Sequence, residues 1–157
     1  MKAKNFSILR SRILDECIAK QQHQLDDFNS RIKNILAHEG LGNEDEYDNT
    51  ELGQSSQQAD EINAINESLS FANSDMNVLQ YLKTLYEVQH SVPEPGAVIV
   101  TNRGKFFISI SVGQVNVDDE IFTGLSTRSQ LFQSMKGMHA GDTFEFGKNR
   151  YTIQEIF

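Results

Sequence analysis

The sequence has a single cysteine, Cys17, only two prolines, Pro93 and Pro95, and no tryptophan. A lone cysteine excludes an internal disulfide scaffold and agrees with a reducing compartment. Both prolines fall at one place, so the long stretches ahead of them are free of the residue that most strongly breaks helices. No apolar run approaches the roughly 20 residues that span a bilayer. Charges also interrupt the segment after Met1-Lys2-Ala3-Lys4-Asn5 too early for a signal sequence. A cytoplasmic protein with no membrane contact is therefore expected.

Basic charge is also scarce. The net charge of -8 argues against general nucleic-acid binding and against sequence-specific DNA binding, both of which need a basic surface to displace counterions from phosphates. The imbalance is local: residues 39–87 carry eleven acidic groups and one basic group, Lys83. Its densest part holds Glu39, Glu44, Asp45, Glu46, Asp48 and Glu51 with no Lys, Arg or His between them.

What is present is helical spacing on either side of that acidic stretch. Apolar positions step by three and four through Leu14, Ile18, Leu25, Phe28, Ile32 and Ile35, with Gln21 as a polar interruption. A second run carries Leu52, Ala59, Ile62, Ile65, Leu69, Ala72, Met76 and Leu79. Between the runs, Gly40 and Gly42 suit a helix C-terminus, and Asn43 with Glu46 three residues on resembles a capping box. So short a connection predicts an antiparallel coiled-coil hairpin over residues 1–90, with its tip at 39–48. The register that follows pairs Ile35 with Leu52, Ile32 with Ser55, Phe28 with Ala59, Leu25 with Ile62 and Ile18 with Leu69. It sets Gln21 opposite Asn66, a polar layer that would fix alignment.

The pattern changes at Ser91-Val92-Pro93-Glu94-Pro95-Gly96, which marks a boundary with a second domain over residues 91–157. Ala97 to Thr101, a turn at Asn102-Arg103-Gly104 and Lys105 to Val112 read as a hairpin. Further strands are expected at Glu120 to Thr123, Thr143 to Phe146 and Tyr151 to Ile156, with a short helix from Ser129 to Met135. The fold class is then α+β: a helical hairpin followed by a small antiparallel β domain with one short helix.

In order along the second half stand Gly96 and Val98, Ser126-Thr127-Arg128-Ser129-Gln130-Leu131, Lys136-Gly137, Gly141-Asp142 and Tyr151-Thr152-Ile153-Gln154-Glu155-Ile156. With the helical hairpin ahead of it, this set resembles the Gre transcript-cleavage factors of bacterial RNA polymerase. The family usually has proline where this chain has Gln130. The resemblance implies an FKBP-like second domain and a non-enzymatic regulator of transcription elongation. It also implies RNA polymerase as the partner, with the hairpin inserted into the polymerase's secondary channel and nascent RNA met only within that complex.

The family's tip acids help hold a Mg²⁺ in the polymerase active centre, so no cofactor stably bound by the chain alone is expected. The candidate residues are Glu44, Asp45, Glu46 and Asp48. Aligned on Glu46-Tyr47, the chain keeps Leu41 but has Gly40 in place of the family's aspartate and Asn43 in place of its glutamate. Stimulation of cleavage and obstruction of the channel both stay open. Basic residues Lys2, Lys4, Arg10, Arg12, Lys20, Arg31 and Lys33 on helix 1 are solvated charges or, by the resemblance, contacts to RNA or the channel wall.

Plainer explanations compete at each of these positions. Glu44, Asp45 and Glu46 sit in the first turn of the second helix, where carboxylates complement exposed N–H groups by about 0.3–1 kcal/mol each. A calcium loop starting at Asn43 fails, because its glycine and closing glutamate positions hold Asp48 and Gln54. His23, His38, His90 and His139 lack ligand spacing, and Cys17 adjoins the apolar seam beside Ile18. Two other functions are conceivable: a coiled-coil chaperone or adaptor without polymerase binding, and a prolyl isomerase. The second rests on fold likeness alone and lacks a tryptophan for its pocket.

Overall fold

A computed structural model describes residues 2–39 and 49–157, with side-chain environments for 5–37 and 56–157. The class is α+β. Two long helices, α1 (Lys2–Glu39) and α2 (Asn49–Thr84), precede six strands: β1 (Val98–Thr101), β2 (Gly104–Ser109), β3 (Gly113–Val117), β4 (Glu120–Ser126), β5 (Thr143–Phe146) and β6 (Asn149–Ile156). A short helix, α3 (Gln130–Met135), lies between β4 and β5.

The strands lie in the order β3-β4-β2-β1-β6-β5. The expectation of an antiparallel sheet holds for four of the neighbouring pairs and fails at β2 and β4, which run parallel with Lys105 opposite Phe122 and Ser109 opposite Ser126. Strand β3, which lies between the expected strands and was not expected from the sequence, explains why. The chain leaves β2, passes over one strand position and returns as β3. It then turns at Asp118 and Asp119 into β4, which occupies the space between. Both turn residues take positive φ, 54° and 63°, the conformation of a two-residue turn whose twist matches the flanking strands. Parallel pairing is thus reached without a crossover helix.

The chain divides into two compact units, one made of Met1–Lys20 with Met76–Phe157 and the other of Gln21–Asp75. In the first, the sheet is buried on both faces, and neighbouring residues go to opposite sides because strand side chains alternate. Val98 and Phe107 join Ile13, Leu14 and Cys17 of α1, Leu79 and Leu82 of α2, and Phe122. Ile99, Phe106 and Ile108 join Phe132 and Met135 of α3, Phe144 and Ile153 on the other face. This is why Val98-Ile99 and Phe106-Phe107-Ile108 read as continuous apolar runs rather than as strict alternation. Phe6 stacks on Phe157 with ring centroids 4.2 Å apart, adding the start of α1 to the first of these clusters.

In the second unit, Leu25 and Ala72 are buried, and Gln21 is only 2% exposed. The Gln21 side-chain amide donates to the carbonyl of Ala72 at 2.9 Å. The expected layer of Gln21 with Asn66 is overturned: the partner lies six positions further along α2, and Asn66 is exposed. Gln21 is polar but not unsatisfied, so it takes a core position without leaving its amide N–H a buried orphan. The expected register came from lining up apolar side chains about a turn centred between Asn43 and Glu44, a pattern that carries no sign of the backbone acceptor on Ala72.

Candidate functional site

The tip acids Glu44, Asp45, Glu46 and Asp48 lie outside the described residues, as do Gly40, Leu41, Asn43 and Tyr47. The described residues do define the state of the cations on α1. Arg12 pairs with Asp118 at 2.6 Å, Lys20 donates to the Gln114 carbonyl at 2.8 Å, and Arg31 pairs with Asp27 one turn away at 3.1 Å. Lys33 is exposed. The first two tie α1 to the β3–β4 hairpin of the same unit, so these two charges have a structural task that a lone helix would not show.

Arg10 is the residue that sequence reading misplaced most. It is a charged residue on a helix face, yet it is 1% exposed, with Nε and Nη2 donating to the Tyr86 carbonyl at 3.0 and 2.8 Å. Burial pushes its pKa below the ordinary arginine value. The only hint in the sequence is position: Arg10 lies three and four residues before Ile13 and Leu14, on the same helix face.

His23 and His139 are exposed, and His90 Nδ1 lies 2.7 Å from Glu94 Oε1. Among the described residues no group of three His, Cys, Asp or Glu side chains is placed to hold a metal ion. Cys17 is fully buried in the core, and burial pushes its thiol up to about 12, with smaller opposing influences from Lys20 and Glu16. It is a packing residue rather than a nucleophile. Because the thiol titrates at 9.0 ordinarily and about 12 when folded, the unfolded chain releases the proton first as pH rises. Stability from this group is whole below pH 9 and falls through the window up to about 12, at about 1.4 kcal/mol per pH unit. Urea unfolding of the wild type and of Cys17→Val across that range should show the wild type losing stability faster by this slope.

The residues of the ordered motif each have a local conformational role. Ser126 Oγ accepts from the Arg128 N–H, and Ser129 Oγ caps α3 by accepting from the Phe132 N–H at 3.2 Å. Gly137 and Gly141 take φ of 76° and 96°, and the Asp142 carboxylate accepts from the His139 N–H at 2.8 Å, closing the turn between them. The Ile153 N–H then donates to the Asp142 carbonyl, joining that turn to β6. The motif therefore records turns and caps that a particular chain path requires.

No protein-family model, curated protein or solved structure matches the chain. No helix among the described residues is long and apolar enough to cross a membrane.

Proposed function

We propose that the chain is a Gre-type regulator of transcription elongation that binds bacterial RNA polymerase. In this reading α1 and α2 form an antiparallel coiled-coil hairpin, and the sheet with α3 forms an FKBP-like domain. The observation that carries the reading is the helical pair: helices of 38 and 36 residues flank residues 40–48, whose sequence holds Glu44, Asp45, Glu46 and Asp48. At about 1.5 Å per residue each helix is on the order of 55 Å long, enough to carry carboxylates to a recessed centre. The ordered turn-and-cap residues between Ser126 and Ile156 add support from the other half of the chain.

Carboxylate oxygens are the donors a hard Mg²⁺ takes, so the chemistry of the tip fits the ion such a regulator shares with polymerase. When bound, the ion supplies charge stabilisation for phosphodiester hydrolysis. The chain's own task is to bring Glu44, Asp45, Glu46 and Asp48 to it. Gly40 and Asn43, standing where the family has aspartate and glutamate, favour a modulator that occupies the channel with weak or no stimulation of cleavage.

A stalled elongation complex tests the proposal. The chain is expected to bind core polymerase and to alter the rate of resumed elongation while releasing little or no 3′ RNA. Absence of binding to core polymerase would end this reading. A chaperone or adaptor is the second reading, favoured by the exposure of Leu36 at 51% and Phe71 at 70% on the second unit. Suppressed aggregation of an unfolded client without polymerase association would select it.

A further inference from the structure

Within the first unit, α2 and the turns after it carry apolar residues on two faces. Leu79 and Leu82 are buried in the cluster with Ile13, Leu14 and Cys17 of α1. Val78, Tyr81, Leu85 and Val88 step by three, four and three, the spacing of a second helical seam, and all four are exposed, Tyr81 the most at 65%. Val78 and Tyr81 stand on the helix itself. Leu85 and Val88 follow in the turns that continue it, where the Leu85 N–H donates to the Leu82 carbonyl at 2.9 Å and the Val88 N–H to the Leu85 carbonyl at 3.0 Å. The other exposed large apolar residues described in this unit, Ile8 and Ile121, stand apart on α1 and β4. Four such side chains within residues 78–88 make a face rather than the scattered singles of an ordinary surface.

The face is also uncharged. From Met76 to Tyr86 the single charged residue is Lys83, in a chain that is 23% charged. Its Nζ is turned to α1, 2.6 Å from Asp15 Oδ1 and 2.7 Å from the Ser11 hydroxyl. Glu87, just beyond, accepts from the Tyr86 hydroxyl at 3.3 Å. The exposed residues interleaved with the stripe are Asn77, Gln80 and Thr84.

We propose that this stripe pairs with the same stripe of a second copy of the chain, antiparallel about a two-fold axis. Its spacing calls for a helix as the occupant, because knobs repeating every three and four residues fit the holes of another helix. The stripe also complements itself. Run antiparallel, Tyr81 meets Leu85 of the second copy and Val78 meets Val88, and the axis repeats each contact, so every apolar member is covered by another. Flanking charges set partner choice in helix pairs, and uncharged borders offer a charged foreign helix nothing to read. The same borders let two chains of net charge -8 meet without placing like charges together. Four side chains a copy fall short of the roughly 20–30 residues a side of a standard interface, so the pair is weak and forms at high concentration. The proposal does not depend on polymerase being the partner.

Sedimentation equilibrium of the full chain from about 10 to 500 μM, a range suited to a weak pair, tests it. The weight-average mass is expected to climb from the monomer value toward twice that value. Tyr81→Glu and Leu85→Lys should each abolish the climb, whereas Ile121→Glu, which alters an exposed apolar residue off the stripe, should leave it unchanged. Mixing Tyr81→Glu with Leu85→Lys should restore it, because the pairing sets the new carboxylate against the new ammonium. Thermal unfolding checks that each variant stays folded. A wild type that remains monomeric throughout would overturn the proposal and leave the stripe to a helix of another protein. Association that survives Tyr81→Glu, or that Ile121→Glu removes equally, would overturn it as well. Failure of the mixture to recover would overturn the antiparallel pairing.

Discussion

Substituting Gly124 by alanine is expected to destabilise the protein by about 3 kcal/mol or more, the upper part of the range for overpacking a rigid site. Gly124 lies in β4, with Phe107 of β2 on one side and Gly113 of β3 on the other. A Cβ there would stand 2.6 Å from Val112 Cγ1, 2.7 Å from the Ile110 carbonyl oxygen and 3.3 Å from the Val112 nitrogen. Two of those three atoms are backbone, so rotamer adjustment cannot relieve the contact. They belong to the segment by which the chain passes over β4 on its way from β2 to β3, and the glycine is what lets the crossing lie this close. Gly137 is the control. It has a φ of 76° but nothing within 4 Å, so Gly137→Ala carries only the conformational penalty of roughly 1 kcal/mol. Thermal unfolding should separate the two, with the Gly124 variant melting roughly 10 °C lower than wild type. Equal shifts for both would show that the crossing segment yields.

The second large effect is expected at Arg10. Replacement by alanine removes two hydrogen bonds to the Tyr86 carbonyl, strands that acceptor and leaves unfilled volume, for a loss of about 3 kcal/mol. Arg10→Met separates the contributions. It keeps most of the stem's packing and discards Nη1, which is buried without a hydrogen-bond partner. The methionine variant should lose about 1–2 kcal/mol, less than alanine, because lost bonds are partly offset by the desolvation of a charge no longer required. Urea unfolding measures both, and amide exchange at Leu85 and Val88 should quicken in each, since these amides bond back into the turns that Arg10 secures. A methionine variant more stable than wild type would mean that the buried cation opposes stability on balance.

How much of this was legible in the sequence varied with the kind of interaction. Helix length was readable because three- and four-residue spacing recurs without proline, and the β1–β2 turn at Asn102-Arg103 and the short helix ending at Met135 were readable because their chemistry is local. Strand β3 was not. Gly113-Gln114-Val115-Asn116-Val117 offers only two apolar residues, and its pairing is decided by β4, which comes later in the chain. The parallel pairing of β2 with β4 depends on which neighbouring position β3 occupies, and nothing in either strand alone encodes it. Gln21 and Arg10 show the same limit for side chains, since their partners are backbone carbonyls 51 and 76 residues away that no side-chain pattern announces. For the candidate site, the sequence marked the tip acids Glu44, Asp45, Glu46 and Asp48 by charge density.

The shared core of the first unit also bears on how the chain is made. Ile13, Leu14 and Cys17 leave the ribosome well before Phe107, Phe122 and Phe157, which complete their cluster. At about 5–20 residues per second, the apolar face at the start of α1 waits on the order of ten seconds for its sheet. During that interval it is a surface for premature contacts, between nascent chains on one message or with a chaperone at the exit tunnel. Folding of this unit is therefore expected to wait until Phe157 has emerged, whatever the speed of its isolated helices.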